Sequence, residues 1–303
     1  MKKSLIWSFT LVLALLTPLV IGNTAVAVGV EQLLVFDNFE EDGSISKKFR
    51  SIPKISSSAN GQFSAAELPK LLTKIPVARD HVWIIDLRQE SHGFINGIPI
   101  TWYSNQNRGN VDKTPDQIAK DEVELLKGIS KENSVKIYTL KKLAAGKFKG
   151  EHPVLVIPHQ VESEQQLVTK LGANYQRFYV LDHNRPTDQE ADRYLNFVKN
   201  QLKPGDWQHF HCRGGKGRSS TFMAMYDMIL NAHSMGFAEI MQHQFEMGNI
   251  KLDSPQTKAE KLWKAGFSKD RYDFLQQFYS YVIDPNGYAA RSWSDWLKLH
   301  TPK

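Results

Sequence analysis

Residues 206–231 read DWQHFHCRGGKGRSSTFMAMYDMILN: a short strand candidate, a glycine-rich turn carrying basic residues, then a long apolar helical stretch. A strand feeding directly into a helix through such a turn leads to a sheet with helices packed against it. The upstream pattern agrees. Strands are expected at 81–88, 135–140, 153–158, 175–181 and 206–211, and helices at 115–129, 162–172 and 187–203. This alternation predicts an α/β layer. The last third, with YDFLQQFYSYV and SWSDWLKLH, reads as helical, and Phe274, Phe278 and Tyr281 have the spacing of a buried helix face. Residues 28–80 read as irregular, with SSSANGQFS as a loop and a short helix near 65–73. No internal repeat is present.

Lys2 and Lys3 precede an apolar run over 5–21, and Ala25-Val26-Ala27 has the small-x-small form of a signal-peptidase site. Residues 1–27 are expected to be a cleaved secretory signal, placing the mature chain in the periplasm or outside the cell. Pro18 and the shortness of the run argue against an uncleaved anchor, and no stable membrane insertion is expected after cleavage. Cys212 is the only cysteine in 303 residues, so it has no intramolecular disulfide partner. The apolar content of 41% and charged content of 23% exclude a disordered chain. The net charge of +6 is compatible with an anionic substrate.

At a strand–loop–helix junction the first amides of the helix are unpaired and point into the turn, and glycines let the backbone close around an anion. Gly214, Gly215 and Gly217 provide that freedom, and Arg218 can hold two phosphate oxygens in a fork. Cys212, at the positive end of the helix, is expected to ionise below its usual pKa of about 8.5 and to attack phosphorus. A nucleotide-binding Walker A loop is excluded, because Lys216 is followed by Gly217 and not by a hydroxyl residue. The chemistry also needs a proton donor for the departing alkoxide. Asp182 ends an expected strand in RFYVLDHNRPTDQE, before a loop and the capping box Thr187-x-x-Glu190. Asp188 and Asp192 are expected on a solvated helix face. Arg213 and Lys216 add two cations in or beside the cradle, which favours a substrate bearing several phosphates.

His211-Cys212-x5-Arg218-Ser219 resembles the signature of the cysteine-dependent protein tyrosine phosphatases. The resemblance implies a phosphocysteine on Cys212, transition-state binding by Arg218, a Ser219 hydroxyl that assists breakdown of the intermediate, and a His211 that orients the loop. Together, DLRQESHGFINGIPITWY, RFYVLDH, HFHCRGGKGRSSTFM and GYAARSWSDWLKLH resemble the bacterial protein-tyrosine-phosphatase-like inositol polyphosphatases, or cysteine phytases. That likeness implies a phosphatase core, a central sheet flanked by helices, with a small partial β-barrel subdomain. The core would take about 160–303 plus 81–130, and the subdomain about 28–60 and 131–160. It also implies substrate contacts by His183, Arg50 and a lysine of TKAEKLWK, taken here as Lys258.

The expected activity is hydrolysis of myo-inositol polyphosphates without metal or organic cofactor, and no nucleic-acid partner is expected. Alternatives are a protein tyrosine, dual-specificity or phosphoinositide phosphatase acting as an effector, or a phosphoinositide-binding pseudoenzyme. Arg88, Glu90 and His92 lack metal-ligand spacing and are expected to hold loops by hydrogen bonds. His233 and His243 are expected on solvated helix faces.

Overall fold

The computed structural model describes residues 32–37, 44–45, 48–143, 147–252 and 259–300. The expected signal segment and Lys258 lie outside them. The described residues belong to one compact unit, Glu31–Lys303.

Its centre is a five-stranded sheet in the order β10-β4-β11-β3-β2. Strands β10 (Asn174–Arg177), β4 (Val82–Asp86), β11 (Trp207–His211) and β3 (Ser57–Asn60) are parallel, and β2 (Arg50–Ile52) is antiparallel at the edge. Both faces are covered, as parallel sheets require. Val82, Ile84 and Trp207 pack with Leu68 and Leu71 of α1 (Glu67–Leu72) and Leu167 and Val168 of α3 (Glu164–Lys170). Ile85 and Phe210 belong to a larger core with α4 (Asp188–Asn200), α5 (Gly217–Asn231), α6 (Phe237–Glu246), α7 (Ala265–Ile283) and α8 (Trp293–His300). Phe274, Phe278 and Tyr281 are buried there against Trp293, as their spacing predicts.

A second sheet of six strands has the order β8-β7-β1-β6-β5-β9. It comprises β1 (Leu33–Phe36), β5 (His92–Ile95), β6 (Ile98–Tyr103), β7 (Val135–Lys142), β8 (Phe148–Val156) and β9 (Val161–Glu162), with α2 (Pro115–Ile129) packed on it through Leu126 and Ile129. Strands β8 and β9 are its two edges, so this sheet is open and not a closed barrel. It is the part expected as a small partial barrel.

Strand membership departs from the expected boundaries in two places. Residues 50–60, expected with the smaller subdomain, form β2 and β3 of the central sheet, whereas β5 and β6, expected with the core, lie in the second sheet. Strand β3 reads SSAN, every residue of it buried, so a fully internal strand carries no apolar signal. The turn between β5 and β6 is Asn96-Gly97, both with positive φ (53° and 79°), the two-residue hairpin geometry that twisted strands favour. Asp188 and Asp192 are not merely solvated charges. Asp188 accepts from Trp293 Nε1 at 3.0 Å and Asp192 from the Ser294 amide at 3.3 Å, tying α4 to the start of α8.

Candidate active site

Residue Cys212 follows β11, whose last residue pairs with Asp86 of β4 and Asn60 of β3. The loop therefore lies at the carboxyl ends of three parallel strands, where open α/β sheets place their ligands. Gly215 has φ +62°, and a Cβ there would stand 2.4 Å from the Gly61 amide nitrogen, so the turn presses on the chain leaving β3. Its carbonyl accepts from Arg50 at 2.8 Å. A Cβ on Gly217, the first residue of α5, would lie 2.8 Å from an Arg271 nitrogen.

The thiol is buried, and Ser219 Oγ donates to its sulfur at 3.4 Å. Burial pushes the pKa up. The Arg218 guanidinium and the hydrogen bonds from the Ser219 hydroxyl and backbone outweigh that, with Asp182 opposing, and the net shift is downward. Arg218 is held by Glu90 through bonds of 2.7 and 2.9 Å, by the carbonyls of Leu87 and Val180 at 3.2 and 3.0 Å, and by Asp182 at 3.3 Å. Its Nε has no hydrogen-bond acceptor among the described residues, and neither has Nε of the buried Arg271. Arg271 donates to the His183 carbonyl at 2.5 Å, and burial lowers its pKa despite the charges of Asp182 and Cys212.

Asp182 lies in the loop that begins after β10, which ends at Arg177, short of the expected 181. Its carboxylate accepts from the His183 amide at 2.9 Å and from Asn107 Nδ2 at 3.3 Å. His183 adopts φ +70°, its ring 3.7 Å from Asp182 and edge-on to Trp263. The capping box forms by half: Thr187 accepts from the Glu190 amide, but Glu190 turns to the Tyr179 amide and to Arg193.

Behind the loop, His211 Nε2 lies 2.5 Å from Glu164 Oε1. His211, Glu164 and Asp86 place donor atoms within 4.8 Å of one another, a set that could ligate a cation. His92 also faces this cluster, 3.3 Å from Asp86 and 3.5 Å from Glu164, and Arg177 is 3.1 Å from Asp86, so its carboxylates already have cationic neighbours. As expected, Arg88, Glu90 and His92 act by hydrogen bonding.

The other expected residues surround the loop in different ways. Arg213 does not extend into the cradle: it pairs with Asp37 at 2.5 Å and stacks over Tyr103. Arg50 holds the loop through Gly215, Ser220 and Asn249, and burial pushes its pKa down to about 10. Lys216 is exposed at the amino end of α5, and Gly214 borders open space. His243 is not simply solvated, since it meets Asp227 at 3.0 Å. Sequence reasoning missed Arg271, whose setting SKDRYDF reads as a charged helix face, and Glu164, which looks like an ordinary residue of a first helical turn.

Residues 85–230 match the PTP-like phytase family, described as inositol hexakisphosphate. A PTP-like myo-inositol phosphatase from Mitsuokella multacida, solved in complex with myo-inositol-(1,3,4,5)-tetrakisphosphate, superposes with a TM-score of 0.81 at 30% identity over 89% of this chain and 48% of that one. A PTP-like phytase from Bdellovibrio bacteriovorus gives 0.72 at 31% identity, over 88% of this chain and 95% of that one. The effector protein hopD2 of Pseudomonas syringae pv. tomato is 28% identical over 215 residues, 70% of this chain and 45% of that protein. The chain thus spans about half the length of the Mitsuokella and Pseudomonas relatives.

Proposed function

The chain belongs to the PTP-like phytase family, and from that membership we propose that it hydrolyses phosphomonoesters of myo-inositol polyphosphates through a phosphocysteine. The observation that carries this reading is the company of Cys212. A buried sulfur with a depressed pKa neighbours two buried guanidinium groups, Arg218 and Arg271, each with an Nε donor lacking an acceptor among the described residues. Such donors suit an oxyanion.

In the proposed reaction the Cys212 thiolate attacks phosphorus as the bond to the inositol oxygen breaks. Asp182 gives its proton to the leaving alkoxide, which an alcohol of high pKa needs. The equatorial oxygens are held by the loop amides and Arg218, which act where charge accumulates. Asp182, now a carboxylate, takes a proton from water as that water attacks phosphorus. The sulfur–phosphorus bond breaks, inorganic phosphate leaves, and the Ser219 hydroxyl stabilises the returning thiolate. His183 and Arg271 face the acid side of the loop, where a polyphosphorylated ring presents further phosphates.

Incubation with inositol hexakisphosphate in the presence of a chelator, followed by product analysis, tests the reading. Stepwise loss of phosphate is expected from the wild type and none from Cys212→Ser, which should still bind the substrate. Full turnover by Cys212→Ser would contradict the mechanism. A second reading, an effector that dephosphorylates phosphotyrosine, draws on the likeness to hopD2. Strong preference for a phosphotyrosine peptide over inositol hexakisphosphate would favour it. Export through residues 1–27 is also proposed, and the amino-terminal residue of the secreted chain tests it.

A further inference from the structure

Arg213 is the residue after the nucleophile, yet its side chain is engaged on the second sheet. Its Nε is 2.5 Å from Asp37 Oδ1, its NH2 is 3.4 Å from the Phe36 carbonyl, and its guanidinium carbon lies 4.9 Å from the Tyr103 ring centre. Asp37, just after β1, is buried and divides its two oxygens between two arginines: Oδ2 accepts from Arg88 NH1 at 2.9 Å. Thr101 Oγ1 donates to the same carboxylate at 2.7 Å. Arg88, fully buried, donates through Nε to Glu90 at 3.0 Å, and Glu90 grips Arg218 with both oxygens. Five charges of alternating sign, Arg213, Asp37, Arg88, Glu90 and Arg218, therefore touch in sequence. The series starts one residue after the sulfur and returns to the loop at its far end.

We propose that Asp37 is a positioning residue of the phosphate loop, anchoring Arg213 on the second sheet and, through Arg88 and Glu90, setting where Arg218 lies. An isolated Arg213–Asp37 pair would anchor only one end. Because each Asp37 oxygen serves a different arginine, displacing this carboxylate shifts both ends of the loop. Simple electrostatics and positioning predict opposite signs. Deleting a buried negative charge near an anion-binding loop would tighten anion binding if charge alone mattered. Loss of an anchor would weaken it.

The inference rests on the reading of residues 212–218 as a phosphate-binding loop. Its test is the alkylation of Cys212 by iodoacetate and the protection given by inorganic phosphate, measured on wild type, Asp37→Asn, Arg213→Gln, their double variant and Asp37→Glu, with thermal unfolding followed in parallel. Each of the first two changes should weaken phosphate protection about tenfold, the size of coupling within one ion-pair network, and the double variant should lose no more than the worse single one. Asp37→Glu should recover part of the loss. Unchanged or tighter protection in both single variants, or losses that multiply in the double, overturns the proposal. If Asp37→Asn fails to fold, Asp37→Glu decides, because it keeps the charge and moves only the carboxylate, and wild-type protection in it overturns the proposal. A wild type that phosphate does not protect removes the phosphate-loop reading and this inference with it, whereas a protected wild type with equally protected variants removes the inference only.

Discussion

Ser219 is the hydroxyl that the sequence motif places beside the sulfur, and its 3.4 Å hydrogen bond acts with Arg218 and the Ser219 backbone to lower the thiol's pKa against burial. Ser219→Ala should therefore move the titration of Cys212 upward, read as the pH dependence of its alkylation. The same variant should slow breakdown of the phosphocysteine more than its formation, so that a burst of product precedes a slower steady state. An unshifted titration midpoint would deny the hydroxyl this role. That Cys212, Arg218 and Asp182 come together was legible, because the proposed nucleophile, clamp and proton donor demand particular residue types at particular places. Arg213 and Arg271 were not, because composition reveals a charge but not its partner. Arg213 is the cation nearest the sulfur in sequence and is neutralised by Asp37, whereas Arg271, 59 positions downstream of Cys212, approaches the loop at Gly217.

At the scale of elements, the loop keeps its shape by pressing on the end of β3. Gly215 has no room for a side chain, since a Cβ would meet backbone atoms of Asn60 and Gly61 at 2.4–2.6 Å while also forcing a non-glycine residue to φ +62°. Gly215→Ala should displace the loop and lower turnover by about 10²-fold, the cost of misplacing reacting groups by about 1 Å. Its melting temperature should fall by only a few degrees, because the strained position costs about 1–3 kcal/mol. Near wild-type turnover would show that the close approach does not fix the cradle. Helix α2 spans the residues its sequence predicts because its capping residue Thr114 and its apolar periodicity agree. Strand β3 was invisible for the converse reason. Its side chains are small or polar although every one is buried, and Ser58 bonds to His209 and Trp207 at 2.8 Å each.

For the whole molecule, the two sheets are joined by buried charge as well as by apolar packing, and this gives stability a defined dependence on pH. His92, on β5 of the second sheet, faces Asp86 of the central sheet at 3.3 Å, Glu164 of α3 at 3.5 Å, Glu122 of α2 at 3.6 Å and Arg177 of β10 at 3.4 Å. Burial, Arg88 and Arg177 oppose its charge, but the carboxylates outweigh them and raise its pKa to about 9. A histidine whose pKa is raised on folding stabilises fully below its unfolded value of about 6.5, and that contribution is lost as pH rises toward the folded value. The shift corresponds to about 3 kcal/mol. On the acid side Asp37, Asp86, Glu90 and Glu164 are all held below their ordinary pKa, against burial, by neighbouring arginines and histidines. Their contributions are present above about pH 4 and decline as pH falls through the folded values. The melting temperature should therefore be highest between about pH 4.5 and 6.5 and fall on both sides. His92→Gln should flatten the alkaline limb between about pH 6.5 and 9 while leaving the acid limb, and the slope identifies the group even if the variant melts lower at every pH. An alkaline limb equally steep in His92→Gln would assign the titration to another group and leave the joint between the sheets without its proposed proton.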